Sequence, residues 1–132
     1  MTRDGSTMLK LFKRKKIKPI DYVILVLYLV HRKGFDRISE ARLHKIMYPV
    51  ANKFRLKYKF AERPIPYSYN LFSDLNTMVS KGYIEAIPEV GSVLKLNYRL
   101  SLSGRAKALE LLELISNEEL NSIDDIVKEN IT

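Results

Sequence analysis

The side chains best suited to specific polar contacts are concentrated between residues 67 and 81. Uncharged polar residues recur here at helical spacing, at Tyr69, Asn70, Ser73, Asn76 and Thr77. The intervening positions are apolar apart from Asp74, which predicts a helix with one buried side and one hydrophilic, largely uncharged side. An amide group carries a donor and an acceptor side by side and can form paired hydrogen bonds with the edge of an adenine base. The chemistry of this segment therefore favours recognition of bases.

Residues for catalysis or metal binding do not form a recognisable set. The two histidines, His31 and His44, are not in a metal-binding spacing, and the chain has no cysteine and only five glycines, none in a phosphate-loop pattern. We interpret both histidines as ordinary surface or helix-cap residues. Adjacent carboxylates such as Glu118 and Glu119 do not face each other on a helix. We therefore expect no enzyme activity, no metal and no cofactor.

Charge is distributed unevenly along the 132 residues, whose net charge is +8. Residues 1–109 hold 22 Lys and Arg against 8 Asp and Glu, whereas residues 110–132 hold one Lys against seven acidic residues. A basic body with an acidic end indicates a polyanionic partner such as DNA, RNA or an anionic membrane surface, or else a solvated lysine-rich surface.

Membrane insertion is not expected. The longest apolar run, Tyr22–Val30, is nine residues, which is too short to span a bilayer, and the N-terminus has no secretory-signal pattern. We expect a cytoplasmic protein.

Hydrophobic periodicity and cap residues predict the elements that position these side chains. Pro49 is expected to kink or shorten the second helix. The predicted elements are a basic flexible arm at 1–18, helices at 19–33, 40–53 and 69–81, strands at 83–87 and 93–100 joined by a hairpin loop at 88–92, a helix from about Ser103, and an acidic helix at 117–132.

The segment Phe54–Phe60 alternates aromatic or apolar residues with basic ones. Strict alternation predicts a half-buried strand, here with an entirely basic outer face.

The order of these elements is that of a winged helix. Leu71–Ile84 resembles the recognition helix and first wing strand of winged-helix regulators. Tyr98–Arg105 resembles the second wing strand turning into the closing helix, a pattern common in the MarR and PadR groups. The entry Pro66-Tyr67-Ser68 is similar to one found in archaeal and phage-associated winged-helix proteins.

The resemblance implies an α+β, mainly α fold: a winged helix-turn-helix with a two- to three-stranded small sheet and extra C-terminal helices. The winged-helix domain would occupy residues 19–116, between the arm at 1–18 and an acidic C-terminal helix or tail at 117–132. One departure is that residues 54–67 separate the second and third helices, where three or four residues are usual. This basic segment either contacts DNA or packs as an edge strand.

The resemblance also implies sequence- or shape-dependent binding of double-stranded DNA, by a transcriptional regulator whose third helix enters the major groove. The predicted recognition contacts are Tyr67, Ser68, Tyr69, Asn70, Ser73, Asn76, Thr77 and Lys81. The predicted phosphate and wing contacts are Arg55, Lys57, Lys59, Arg63, Lys95 and Arg99, with Lys13, Arg14, Lys15, Lys16 and Lys18 in the arm. The helix lacks an arginine for reading guanine, which indicates weak, A·T-biased or shape-based readout. Asp74 is expected to pair locally.

Partner predictions follow from the C-terminal part of the chain. The apolar positions of residues 106–127 exceed what one small core readily covers, which predicts a homodimer with two third helices about one DNA turn, roughly 34 Å, apart. Alternatively, the acidic tail folds back on the basic body. The rival functions are a winged-helix module for protein–protein contact, such as a complex subunit or an antitoxin-like module, and RNA binding. No small-molecule effector is predictable.

Overall fold

The computed structural model of the protein describes residues 17–62 and 64–131. Residues 1–16 of the predicted arm lie outside these ranges, and with them four of its five predicted contacts (Lys13, Arg14, Lys15 and Lys16); the predicted contact Arg63 also lies outside. The elements are α1 (Pro19–Arg32), β1 (Ile38–Ser39), α2 (Glu40–Phe54), α3 (Tyr69–Ser80), β2 (Ile84–Glu89), β3 (Ser92–Leu100), α4 (Leu102–Leu112) and α5 (Asn117–Asn130).

Helix α1 lies at the centre of the fold. The backbone N–H of Lys18, just before the helix, donates to the carboxylate of Asp21 at 2.9 Å. From Tyr22 to Val30 every residue except Tyr28 is buried, as the apolar run predicts. Apolar side chains on all sides allow α2, α4, α5 and β3 to pack around this one helix. Among the described residues, no helix combines the length and apolarity needed to cross a lipid bilayer.

Helix α2 begins where the sequence predicts, with the Ser39 hydroxyl accepting the backbone N–H of Arg42 at 3.2 Å. Pro49 lies inside the helix, which nevertheless continues to Phe54. The expected shortening is therefore wrong. The helix is held by a buried stripe that costs far more to expose than one lost backbone hydrogen bond; the stripe is Leu43, Ile46, Met47 and Val50.

Residues 55–68, here called the connector, join α2 to α3 without forming the predicted strand. Arg55 ends α2 in the left-handed conformation at φ 55°, and the connector's pairing is limited to an isolated bridge between Ala61 and Tyr67. The alternation of side chains is real, because Tyr58 is buried while Lys57 and Lys59 are exposed. The segment alternates because Tyr58 contacts α3 and Phe60 packs on α2, and among the described residues no strand pairs with it.

The third strand of the sheet is β1 instead. It pairs with β3 through Ile38–Tyr98 and Ser39–Asn97, and β3 pairs with β2, so all neighbours are antiparallel in the order β1-β3-β2. The β2–β3 hairpin turns at Val90 and Gly91, where Gly91 has φ 82°. Helices followed by a hairpin, with a short strand between the first two helices completing the sheet, form a winged-helix layout. The predicted fold class is confirmed.

The apolar residues of the C-terminal segment are mostly covered by the chain itself. Ala108, Leu111 and Ile115 are buried, and α5 packs on α1 and α2 through Ile123 and Val127. The homodimer prediction assumed that the apolar residues of 106–127 exceed what one core can cover. Most of these residues are buried or half-buried within the chain itself, so most of that support is lost.

Gly104 fixes the angle at which α4 leaves the sheet. A Cβ atom at this position would overlap the backbone carbonyl of Tyr83 and press on the Leu100 side chain. We expect Gly104→Ala to lower the free energy of unfolding by about 3 kcal/mol, because backbone cannot move aside as a flexible side chain can. Urea unfolding measures this loss. Ser103→Ala, at the exposed neighbouring position, is the control and should change stability by less than about 0.5 kcal/mol.

Candidate nucleic-acid interface

Helix α3 presents an open hydrophilic surface. Leu71, Leu75 and Met78 are buried on one side. The opposite side is exposed and carries no charge before Lys81, the residue that caps the helix C-terminus. We call this side the polar face of α3; it consists of Tyr69, Asn70, Ser73, Asn76, Thr77 and Ser80. The predicted contact residues between 69 and 81 thus lie together on one accessible surface.

Ser68 has a structural position. Its side chain is fully buried, and its hydroxyl accepts the backbone N–H of Leu71 at 3.2 Å, so it caps the helix. The predicted contact of this side chain with DNA is therefore corrected to a helix-capping role. A phosphate could contact this hydroxyl only if the side chain were exposed to solvent, and it is buried.

Three aromatic rings connect the start of α3 to the core, and we call them the aromatic column. His44 stacks on Tyr67 with ring centroids 4.3 Å apart and planes 7° apart. Tyr67 meets Tyr69 edge to face at 5.2 Å and 80°. The inner ring, His44, is fully buried, whereas Tyr69 is 80% exposed. Tyr67, predicted as a DNA contact, is half-buried and mainly supports Tyr69.

His44 also accepts a hydrogen bond at its Nδ1 atom from the backbone N–H of Ser68 at 3.1 Å. The expectation that His44 is a surface or cap residue of its own helix is therefore wrong, although His31 is exposed as expected. Burial lowers the pKa of His44 to about 4, so the ring is neutral at pH 7. A neutral ring can keep Nδ1 as an acceptor, whereas an imidazolium cannot.

The surroundings of His44 are polar but poorly satisfied. Its Nε2 atom lies 3.9 Å from the Glu40 carboxylate, and Nε2, Glu40 Oε2 and the Tyr98 hydroxyl have no hydrogen-bond partner among the described residues. Burial raises the pKa of Glu40. No group of three or more metal-ligating side chains forms a site in residues 17–62 and 64–131.

Asp74 attaches the connector to the flank of α3. Its carboxylate accepts the Tyr58 hydroxyl at 2.7 Å and lies 3.3 Å from the Lys57 ammonium. The expected local pairing of Asp74 is confirmed. Burial, helped by the neighbouring carboxylate, raises the pKa of Tyr58 well above its usual value, so its hydroxyl stays a donor. The pairing also brings Lys57 alongside the polar face of α3.

The remaining predicted phosphate contacts fall into two groups. Arg99 forms ion pairs with Glu85 at 2.6 Å and with Asp36 at 3.5 Å, so its charge is largely neutralised within the protein. The other group is exposed and makes no ion pair with a described residue; it consists of Arg55, Lys59, Lys81 and Lys95. Lys18 is exposed at the start of α1. The wing tip has Glu89 and a fully exposed Val90, and no cation.

Lys45 is a candidate contact that the sequence reasoning missed. It is exposed on α2 and, with Ser39 and the residues 64–66, borders a surface hollow of about 310 Å³. In a helix-turn-helix the first helix of the pair crosses the DNA backbone. A helical projection of residues 40–54 would have found Lys45, since it lies opposite the apolar stripe.

The acidic helix α5 lies away from the polar face of α3. Arg42 donates to the carbonyl oxygens of Asn130 and Ile131, at the end of α5, at 3.2 and 2.8 Å. His44, two residues along α2, points toward Tyr67, and residues two apart on a helix project in nearly opposite directions. The acidic end therefore folds back on the body of the protein, as the alternative prediction has it: α5 packs on α1 and α2 through its apolar side, and Asp124 pairs with Lys33.

Comparison with known proteins gives no family assignment. No protein-family model matches the sequence, and no curated protein is significantly similar to it. The resemblance to the MarR and PadR groups therefore stays a prediction.

The buried histidine makes stability depend on pH. At a pH between the usual histidine pKa of 6.5 and the lowered pKa of about 4, His44 is protonated in the unfolded chain and neutral in the folded protein. Stability therefore falls as the pH falls from about 7 to about 5, by about 2 kcal/mol from this group. In His44→Asn, whose side-chain oxygen can still accept the Ser68 N–H, we expect the acid-side loss to be smaller by that amount. Urea unfolding at both pH values tests this.

Glu40 has the opposite dependence, because its raised pKa makes the folded protein take up a proton before the unfolded chain does. The difference in acid-side stability loss between the unaltered protein and His44→Asn therefore reports on His44. The slope of the unfolding free energy against pH in either protein alone does not, because Glu40 contributes to it. His31→Asn, at an exposed position, is the matched control and should retain the full acid-side loss. An equal loss in the unaltered protein and in His44→Asn would contradict the assignment.

Proposed function

We propose that the protein binds double-stranded DNA by placing the polar face of α3 in the major groove, and that it is a cytoplasmic transcriptional regulator of the winged-helix type. The single observation that carries the proposal is that this face is uncharged, exposed and continuous along a 12-residue helix. Groups that can form paired hydrogen bonds with base edges, Asn70 and Asn76, lie on it.

The surrounding charges support the same orientation. The exposed cations Lys45, Lys59 and Lys81 lie on α2, on the connector and at the C-terminal cap of α3, and Lys57 is held beside α3 by Asp74. Phosphates on either side of a major groove are the natural partners of such cations.

Duplex RNA is a less suitable partner for this surface. The major groove of A-form RNA is too deep and narrow for side chains on a helix to read, and RNA modules rely on exposed aromatic sheets or clamped single strands. Here the small sheet has its apolar residues Ile84, Tyr98 and Leu100 buried against the core. A protruding helix with a hydrophilic outer side fits B-form DNA.

We further propose that two copies bind one DNA site. The support is an apolar pair left uncovered on the outer side of α4, where Leu102 is 82% exposed and Leu109 is 55% exposed. The two residues are seven apart and therefore lie on the same side of the helix. One 11-residue helix buries less area than a standard stable interface, so we expect pairing on DNA, where one duplex raises the effective concentration.

A charge-addition pair tests DNA binding. Asn76→Glu adds a carboxylate to the centre of the polar face of α3, and like charge against phosphate should weaken binding by about 2 kcal/mol or more, at least roughly 30-fold. Fluorescence anisotropy with a labelled mixed-sequence duplex of about two helical turns measures the affinity. The matched control is Asn121→Glu, an identical change on the exposed side of α5, which should leave affinity within about twofold.

The salt dependence of the same titration separates this function from its rivals. If six cations contact phosphates, affinity should fall about a thousandfold between about 50 and 200 mM salt. A module for protein–protein contact would bind no duplex in the low-salt titration. Equal affinity of the Asn76→Glu and Asn121→Glu variants would show that DNA binds elsewhere.

A second charge-addition pair tests pairing on DNA. Leu109→Glu should convert a complex of two copies per duplex into one copy per duplex, because it places a charge in the apolar contact. Analytical ultracentrifugation of the protein with a duplex of about three helical turns gives the stoichiometry. Ser103→Glu adds the same charge to α4 at an exposed position beside the apolar pair and should retain two copies. One copy per duplex for the unaltered protein would refute the pairing.

A further inference from the structure

We infer that the polar face of α3 reads A·T base pairs, with asparagine side chains binding adenine and the Tyr69 ring contacting the methyl group of thymine. The inference rests on the DNA binding proposed above and specifies the sequence class that the same surface selects.

The hydrogen-bonding groups on this face favour adenine over guanine. Guanine presents two acceptors in the major groove and is read mainly by arginine or lysine, whereas adenine presents a donor and an acceptor that match an amide. Asn70 and Asn76 are exposed, and the cation on α3, Lys81, lies at its C-terminal cap, beyond the last helical turn. No described residue on the polar face carries a positive charge.

Tyr69 is placed for an apolar contact. It is 80% exposed at the first position of α3, and the N-terminal residues of a recognition helix are those that reach base edges. The thymine methyl is the apolar group that a base pair presents in the major groove. An exposed aromatic ring and an exposed methyl group both leave water when they meet.

The aromatic column holds Tyr69 before any ligand arrives. Its edge-to-face contact with Tyr67, and the stacking of Tyr67 on the buried His44, connect an exposed ring to the rigid interior. A side chain already restricted in the free protein loses little conformational entropy on binding. Because little entropy is lost, contact with a single thymine methyl group can contribute measurably to the binding affinity.

The spacing of the two kinds of contact suits a short site. Tyr69 and Asn76 are seven residues apart, which is two helical turns and about 10 Å along the axis. With α3 lying along the groove, this distance corresponds to about three base-pair steps of 3.4 Å. The two side chains would thus read one uninterrupted A·T segment.

Modified duplexes test the thymine contact. An alternating A·T duplex is compared in anisotropy with the same duplex containing uracil for thymine, which removes only the methyl groups, and with a G·C duplex. We expect the unaltered protein to bind the thymine duplex about fourfold more tightly than the uracil duplex for each methyl contacted, and more tightly than the G·C duplex. Tyr69→Ala should bind thymine and uracil duplexes equally. Tyr69→Phe, which keeps the ring, should still discriminate.

The adenine contact is tested independently with 7-deazaadenine, which lacks the N7 acceptor. The unaltered protein should lose affinity for that duplex by roughly fivefold or more, and the double variant Asn70→Ala/Asn76→Ala should bind both duplexes equally while still preferring thymine to uracil. Equal binding of thymine and uracil duplexes by the unaltered protein, or equal binding of A·T and G·C duplexes, would overturn the inference while leaving DNA binding intact. Absence of binding to every duplex at low salt would overturn the proposed function itself.

Discussion

The hydrogen bond from the backbone of Ser68 to the buried His44 determines where α3 begins. It joins the first turn of α3 to the interior of α2 across the connector, which is also attached by Tyr58, by an isolated bridge and by the Phe60 ring packed on Tyr48 and His44. Because the acceptor is a buried aromatic ring, the same residue that bonds to the backbone also stacks on Tyr67. A connector much longer than the usual turn can therefore deliver α3 in a fixed position, since the constraint comes from side chains packed between the helices.

Much of the fold could be predicted from the sequence because helices and hairpins depend on local patterns. The caps Ser39 and Ser68 and the apolar stripes locate α2 and α3 to within a residue or two at each end. The alternation in Phe54–Phe60 predicts a strand because periodicity reports which side chains are buried. Periodicity does not report which backbone groups form hydrogen bonds, so the missing pairing could not be predicted. The third strand, β1, is two residues long, too short for any periodic signal.

In the candidate site, too, local features could be predicted from the sequence and contacts between distant residues could not. The polar face of α3 follows from helical spacing alone, so its members come together as expected. Contacts between residues distant in sequence could not be foreseen: the neutralisation of Arg99 by Asp36 depends on the turn before β1, and the burial of His44 depends on where the connector lies.

The placement of α5 has a consequence for the proposed binding of DNA. Its exposed carboxylates, such as Glu118, Asp125 and Glu129, lie on a helix that packs against α1 and α2, whereas Lys57 is held beside α3, and this separation of opposite charges gives the molecule an electric dipole. In the field of a duplex, a dipolar protein experiences a torque that turns its positive side forward before the surfaces touch. A larger fraction of random collisions then arrives in a productive orientation, and this gain is in the association rate constant, independent of the bonds that form afterwards.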